Sequence, residues 1–345
     1  MDIRRYDSID GLRAYAAIGI VLMHVRAMGK FNIGQTSIVH IISLFTSFVF
    51  LFMVISSFSM CCGYYEKFRK GTIDIENFYK RRYCKIWPFF SFLVLLGILT
   101  NFSMNSIFEG FADLTLVYSL LPNPNISVMG IAWTLGVIFV FYLLFPFFVF
   151  MINNKRRAWF CFGVSVMWNV ACELYFFDEI HVVSSFSPRN NILYCAQFFL
   201  IGGIIYLYRE KLVDYVSNNK IISLIITALV TIAYYFIDYI GDSGWYEIAR
   251  NCYILILFSV WLIYAISSNS ILLNNRFVKY ISSISMEIYL CHMVVFRLIE
   301  KSGLLSKLTG RSGYLICSIL VFFGAVLFSA FFRKATDYIG IKNNN

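Results

Sequence analysis

The apolar stretch DGLRAYAAIGIVLMHVRAMG near the start of the chain carries an arginine and a histidine, Arg13 and His24, eleven positions apart. On an α-helix, a separation of eleven residues is about 16 Å along the axis and close to three full turns, so both side chains lie on one face. An imidazole with a pKa near 6.5 can remove a proton from a hydroxyl group. Titratable groups are costly in lipid, so this face is predicted to meet protein or water and to carry chemistry.

Each of these side chains also has a structural interpretation. Arg13 can extend its guanidinium to the membrane surface, and His24 can be a hydrogen-bonded histidine of the protein core. Asp10, three residues before Arg13, either caps the first helix or pairs with Arg13 and orients it. The residue types and their spacing leave these alternatives open.

The elements that must position these side chains are membrane helices. Hydrophobic residues make up 59% of the 345 residues and charged residues 14%, and the mean hydropathy is +0.72. A soluble chain of this length needs more surface charge, so the composition indicates an integral membrane protein. The net charge of +10 comes from short clusters of Lys and Arg between apolar runs, which is typical of cytoplasmic loops and argues against a nucleic-acid partner.

The nine cysteines give no sign of a metal site. They include the neighbours Cys61 and Cys62, but no CxxC pair and no Cys/His group with zinc spacing. Most of them lie inside apolar runs, where cysteine behaves as a small apolar residue. We therefore expect no bound metal.

Ten apolar runs approach the roughly 20 residues that a membrane-spanning helix requires. They predict an all-α, polytopic integral membrane protein with about ten transmembrane helices, near residues 12–29, 38–62, 86–101, 131–152, 157–177, 191–208, 221–240, 250–268, 280–299 and 313–333. The run 107–121 contains Glu109 and Asp113 and is either a re-entrant or interfacial helix or an eleventh span. No linker or repeat divides the chain, so residues 1–345 are expected to form a single domain without an appended soluble domain.

The basic residues predict the orientation of these helices. In the ten-span topology, 21 of the 29 Lys and Arg residues fall on the side of the two termini, 7 fall on the other side, and Arg297 lies inside the ninth span. This asymmetry places both termini in the cytoplasm, although the loop with Lys301, Lys307 and Arg311 would favour the reverse. A cleaved signal peptide is the competing interpretation of residues 1–29, but no A-x-A-like cleavage site follows.

Five segments carry a resemblance to a known family. The first helix, IDGLRAYAAIGIVLMH, has the R-x10-H spacing of the acyltransferase-3 family of membrane acyltransferases. FMVISSFSM resembles that family's F-x-x-S-G-F stretch, and FYKRRYCKIWP resembles its R-x-x-R segment. WTLGVIFVFYLLFP resembles its W-S-L-x-V-E-x-x-F-Y-L-x-x-P stretch, and SISMEIYLCHMVVF its final I-Y-L-x-H stretch. The segments follow the family's order and span almost the whole chain.

Three positions depart from the family's pattern. Ser57 replaces a glycine, and Lys85 replaces the second arginine of R-x-x-R, which keeps the charge but loses the fork geometry that grips phosphate. Ile138 stands where an acidic residue is common in the family. Glu287, inside the ninth span, is either a substitute for that carboxylate or a residue that forms a structural hydrogen bond.

The resemblance implies a membrane O-acetyltransferase. The donor would be acetyl-CoA in the cytoplasm, and the acceptor a sugar hydroxyl of a cell-surface polysaccharide or of its lipid-linked precursor. His24 would be the base, with Arg13 and Asp10 as its companions. Because such glycans are often finished on the outer side, the acetyl group would have to cross the membrane, either on an extended CoA arm or as a transient acetyl-enzyme.

The resemblance also implies substrate-binding residues. Arg82, with Arg81 and Lys85, would meet the phosphates of CoA at the inner surface, although such a cluster can also serve only as a topology signal. Other candidates, each of which can instead be a packed or interfacial side chain, are Trp133, Tyr142, Tyr289 and His292. Tyr289 and His292 are three residues apart and share a helix face.

Two other function classes fit the same composition. A transporter or flippase for a lipid-linked glycan would show paired repeats and broken helices, and the sequence has no such repeat. An inactive membrane partner of an acetyltransferase is compatible with the missing acidic residue at Ile138. The resemblance places the protein in the cell (plasma or inner) membrane, among its lipids, and leaves the acceptor sugar, the acyl group and the oligomeric state open.

Overall fold

The computed structural model describes residues 6–34, 36–121, 128–176, 180, 187–239 and 244–338. These residues form helices joined by short turns, and no strand occurs among them. The α-helices are α1 (Ile9–Met28), α2 (Ser37–Leu44), α3 (Phe48–Met60), α4 (Glu66–Arg69), α5 (Ile75–Thr100), α6 (Met104–Thr115), α7 (Trp133–Met151), α8 (Lys155–Ala171), α9 (Ile192–Asn218), α10 (Lys220–Tyr234), α11 (Gly244–Ser267), α12 (Arg276–Ser283), α13 (Ser285–Lys301) and α14 (Gly310–Tyr338). Two π-helical turns, Cys61–Tyr65 and Cys172–Phe176, follow α3 and α8. The predicted all-α fold of a polytopic membrane protein is confirmed.

Eight helical segments within the described ranges are long and apolar enough to cross a membrane. They correspond to eight of the ten predicted spans. The seventh predicted span is the 15-residue helix α10, and the ninth is broken into α12 and α13, whose axes differ by 71°. The count of ten crossings and the cytoplasmic position of the termini stay predictions. With 12 residues, α6 is too short to cross, which agrees with the re-entrant or interfacial interpretation of 107–121.

The chain folds into two compact units. The small unit contains the described residues of 7–49 and 269–345, and the large unit contains those of 1–6 and 50–268. The expectation of a single domain, without a further soluble domain, stays a prediction.

In the small unit, α1 packs against α12, α13 and α14. Small residues permit this close packing, since Ala14, Ala16 and Ala17 are buried and a Cβ atom on Gly11 would lie 2.6 Å from the Cα atom of Leu273. Small side chains allow membrane helices to approach closely without a hydrophobic driving force. Much of α1 is therefore covered by protein rather than by lipid.

In the large unit, α9 is the central helix and packs against α8 and α11. A Cβ atom on Gly202 would overlap the carbonyl oxygen of Val54, so α3 and α9 touch backbone to backbone. Between α7 and α9, the rings of Phe141 and Phe199 stack with their centroids 4.2 Å apart. These contacts fix the helices that carry the polar residues of this unit.

Candidate active site

His24 and His292 contact each other in the small unit. The Nδ1 atom of His24 on α1 lies 3.0 Å from the Nε2 atom of His292 on α13, and the ring centroids are 5.0 Å apart. His292 is completely buried, and His24 is partly exposed. The face of α1 that carries Arg13 and His24 therefore meets protein, and it brings together two residues that are 268 positions apart in the chain.

The hydrogen bonds of His292 determine which nitrogen of His24 is basic. The Nδ1 atom of His292 faces the backbone carbonyl oxygens of Tyr289 at 2.7 Å and Ile288 at 3.2 Å, and carbonyl oxygens only accept. Nδ1 of a neutral His292 must therefore carry the proton, and its Nε2 accepts a hydrogen bond from Nδ1–H of His24. The unprotonated nitrogen of His24 is then Nε2, on the far side of the ring from His292. This arrangement orients an imidazole as a base.

Asp10 and Arg13 form a second polar group near the start of α1. The Nη1 atom of Arg13 lies 3.7 Å from Oδ1 of Asp10, and the same oxygen accepts a hydrogen bond of 2.9 Å from the hydroxyl of Ser282 on α12. Ser8 occupies the cap position of α1, and Asp10 lies in its first turn. Of the two roles open to Asp10, the geometry favours pairing with Arg13.

Glu287 and Tyr289 lie close to His292 in the sequence of α13 but differ in their surroundings. Arg333 of α14 donates to Oε1 of Glu287 from Nε at 2.8 Å and from Nη2 at 2.5 Å. A carboxylate held in this way by an arginine ties α13 to α14, which favours a structural role for Glu287. Tyr289 is buried, and its ring centroid is 6.1 Å from that of His292.

In the large unit, the guanidinium of Arg82 on α5 is surrounded by hydrogen-bond acceptors and aromatic rings. Its Nη2 donates to the hydroxyl of Tyr64 at 2.9 Å, and its Nη1 lies 3.7 Å from the sulfur of Met60. The guanidinium carbon is 5.2 Å from the ring centroid of Tyr64 and 6.0 Å from that of Tyr142. Two residues that the sequence proposes for substrate binding, Arg82 and Tyr142, are thus neighbours, and the π-helical turn after α3 supplies the third member.

The remaining candidates of the large unit lie in different surroundings. Arg81 and Lys85 are exposed on α5 beside Arg82. Trp133, at the start of α7, faces the guanidinium of Arg189 at 5.1 Å from its ring centroid. Ile138 is half-buried on α7. No three His, Cys, Asp or Glu side chains in the described ranges lie close enough together to hold a metal ion.

Comparison with protein families matches residues 6–330 to the acyltransferase-3 family model, which is described as an acyltransferase domain. The chain belongs to the acyltransferase-3 family. No curated protein and no solved structure matches it. As an acyltransferase-3 protein with eight helices suited to crossing a membrane in its described part, it is a multi-pass membrane acyltransferase.

Three polar partners in this acyltransferase-3 protein had no signal in the sequence. Tyr64 lies in a π-helical turn, which shifts its direction relative to a continuous α-helix. Ser282 and Arg333 each pair with a residue on another helix. Asp113, one of the two acidic residues of the run 107–121, is completely buried, and its sequence context does not indicate this.

Proposed function

We propose that this protein is a membrane O-acetyltransferase that moves an acetyl group from acetyl-CoA to a sugar hydroxyl of a cell-surface polysaccharide or of its lipid-linked precursor. Membership of the family supports acyl transfer. The observation that carries the proposal is the hydrogen bond between His24 and His292, because it aims one basic nitrogen away from a buried partner.

The chemistry needs a base and a path for one proton. Nε2 of His24 removes the proton from the acceptor hydroxyl while that oxygen attacks the thioester carbonyl carbon. The carbon–sulfur bond then breaks, the acetyl group remains on the sugar oxygen, and the departing CoA sulfur receives the proton from His24. Each cycle therefore returns His24 to its starting state.

His292 acts as a positioning residue in this scheme. Its unprotonated Nε2 accepts a hydrogen bond from Nδ1–H of His24. This hydrogen bond becomes stronger when the His24 ring takes up a proton and is positively charged. Its own Nδ1 proton is held by the Tyr289 carbonyl, so the ring keeps its tautomer. A partner with a fixed orientation and tautomer keeps the general base in the tautomer and orientation that proton transfer requires.

Acetyl-CoA is assigned to the cluster around Arg82. The exposed Arg81 and Lys85 supply positive charge at the start of the apolar part of α5, while Tyr64 and Tyr142 hold the guanidinium of Arg82 in place. Positive groups in this arrangement suit the phosphates of CoA. With both termini in the cytoplasm, this end of α5 faces the donor.

If Arg13 lies near the inner surface, as this topology implies, His24 is past the middle of the bilayer, because it lies about 16 Å along the helix from Arg13. The acetyl group must therefore travel inward from the cytoplasmic surface, on CoA itself or as an acetyl-enzyme. Liposomes with labelled acetyl-CoA on the side of the termini and acceptor on the opposite side test this directly. Label in the acceptor only when both substrates share one side would contradict transfer across the membrane.

Substitution of the two histidines tests the chemistry. His24→Ala should abolish acetylation of the glycan, while His40→Ala, in α2 of the same unit, should leave it at the wild-type level. His292→Leu, which cannot accept from His24, should lower kcat by roughly 10- to 100-fold with little change in the KM for either substrate. His292→Gln, which offers an accepting oxygen, should recover part of that loss.

Three results would contradict parts of this proposal. Wild-type acetylation by a folded His24→Ala protein would exclude His24 as the base. Equal activity of the His292→Leu and His292→Gln proteins would show that His292 does not act by accepting a hydrogen bond from Nδ1–H of His24. A wild-type protein that folds and inserts but transfers no acetyl group would favour the inactive-partner interpretation.

A further inference from the structure

Among the eight helical segments suited to crossing a membrane, the segment that contains α8 is the least covered by protein. Only 17% of its apolar window is buried in the described part of the chain, compared with 28–61% for the other seven. Phe160, Val164 and Met167 are exposed and follow one another along one face of α8. This face therefore meets lipid, and an acyl chain can lie along it.

Three positively charged residues form the first turn of α8, directly before this apolar face. Lys155 and Arg156 are exposed, and Arg157 is half-buried. None of the three belongs to a salt bridge within the described ranges. Cations are unfavourable in the first turn of a helix, because the positive end of the helix dipole lies there. An anion beside these side chains would offset that cost.

Two aromatic residues hold Lys155 in place. Its Nζ atom lies 4.6 Å from the ring centroid of Tyr208 on α9. The Nε1–H group of Trp159, one turn after Lys155, donates to the hydroxyl of Tyr208 at 3.3 Å. Trp159 is 47% exposed, and a tryptophan with an exposed ring and a polar N–H group is typical of the boundary between membrane and water. These contacts place Lys155 at the level of the lipid headgroups.

Lys155 and Tyr208 keep hydrogen-bond donors for an external group. The Tyr208 hydroxyl accepts from Trp159, and its own proton has no acceptor among the described residues; the same is true of the Lys155 ammonium. Because Nζ of Lys155 lies against the ring that carries this hydroxyl, one phosphate group, with its several oxygens, can accept from both. The positive charge of Arg156 disfavours a headgroup that carries its own cation.

We propose that Lys155, Arg156, Trp159 and Tyr208 form a binding site for the headgroup of an anionic phospholipid. The phosphodiester accepts from Lys155 and Tyr208, Arg156 adds positive charge, and an acyl chain runs along the exposed apolar face of α8. In the ten-span topology this end of α8 lies on the side of the termini. A topology signal requires only charge, whereas this site also requires the Tyr208 hydroxyl. The proposal does not depend on acetyl transfer.

Native mass spectrometry of the full-length protein in detergent tests the site, with phosphatidylglycerol and phosphatidylcholine of identical acyl chains as probes. The first phosphatidylglycerol should bind more tightly than phosphatidylcholine. Its affinity should fall about fivefold in Lys155→Gln, as expected for one lost cation near a membrane surface, and about tenfold in Tyr208→Phe, which removes only the hydroxyl. Lys220→Gln is the matched control, because Lys220 is also exposed and is the first residue of a helix, α10; it should bind like wild type.

Four outcomes would overturn the lipid site. They are equal affinities of the wild-type protein for the two lipids, wild-type affinity for phosphatidylglycerol in Tyr208→Phe, equal losses in Lys155→Gln and Lys220→Gln, and displacement of the lipid by an equal concentration of glycerol 3-phosphate. The last result would show a site for a free phosphate. Tyr208→Phe changes one atom, so it decides the matter even if Lys155→Gln fails to fold.

The catalytic proposal is tested separately. His24→Ala should bind phosphatidylglycerol as the wild-type protein does, because His24 is not part of this surface. Lipid binding that depends on Tyr208, in a wild-type protein that transfers no acetyl group, would refute the proposed reaction and leave the lipid site standing.

Discussion

Replacing Asp113 with asparagine is expected to stabilise the protein increasingly as the pH rises. Asp113 lies in α6, outside the helices suited to crossing the membrane, and it is completely buried. Neither of its carboxylate oxygens has a hydrogen-bond partner in the described ranges. Burial, together with the nearby charge of Glu109, raises the pKa of Asp113 to about 8.

The sign and size of the effect follow from the two protonation states. In the unfolded chain an aspartate has a pKa near 3.9, so between about pH 4 and pH 8 the folded protein holds a proton that the unfolded chain releases. The free energy of unfolding then falls by about 1.4 kcal/mol per pH unit across this range and levels off above it. Asparagine has the same shape and does not titrate. Between pH 5 and pH 7, the stability advantage of Asp113→Asn should therefore grow by about 3 kcal/mol.

Unfolding by a denaturing detergent, followed by tryptophan fluorescence at a series of pH values, measures this difference. A stability advantage that stays constant from pH 5 to pH 8 would refute the buried, protonated state of Asp113. Glu109→Gln is the matched control. Removal of the neighbouring charge should lower the pKa of Asp113, so the free energy of unfolding should stop falling at a lower pH than in the wild-type protein.

Two further predictions concern the large unit. Arg82→Ala should raise the KM for acetyl-CoA much more than the KM for the acceptor, because it removes the guanidinium held by Tyr64; steady-state kinetics with each substrate varied would show equal effects if Arg82 had no contact with the donor. Gly202→Ala should lower the free energy of unfolding by about 1–3 kcal/mol, because its Cβ atom would overlap the carbonyl oxygen of Val54. Gly163→Ala, where a Cβ atom meets open space, should not destabilise the protein, and equal thermal midpoints for the two variants would contradict the close approach at Gly202.

Much of the fold was predictable because lipid leaves few choices. Apolar runs of about 20 residues must satisfy their own backbone hydrogen bonds, so the runs near 12–29 and 131–152 had to be helices, and the structure has Ile9–Met28 and Trp133–Met151. The break inside the run 280–299 was not predictable, because Ile284, where α12 gives way to α13, has neither proline nor glycine beside it.

The candidate site was predictable only in part. Helical periodicity places Arg13 and His24 on one face of α1, but it does not say which other helix that face meets. The contact with His292 therefore required three-dimensional information, as did the pairing of Glu287 with Arg333. A resemblance to a family transfers the identity of such residues, whereas their hydrogen-bond partners follow from packing.

The bend between α12 and α13 divides the ninth predicted span into two helices, each shorter than a membrane crossing requires. The 17 residues of α13 rise about 25 Å, which is several Å less than the hydrocarbon core of an ordinary bilayer. In α12, Val278 and Ile281 are buried and Arg276 is exposed, so the helix is amphipathic, as is typical of a helix that lies along a membrane surface. Because its axis is bent by 71° from that of α13, it does not extend α13. Where α13 crosses the bilayer alone, local thinning of the lipid or the reach of flanking side chains to the surface makes up this difference. Since α13 carries His292, the rate of the reaction should vary with the acyl-chain length of the reconstituted lipids, although no lipid takes part in the chemistry.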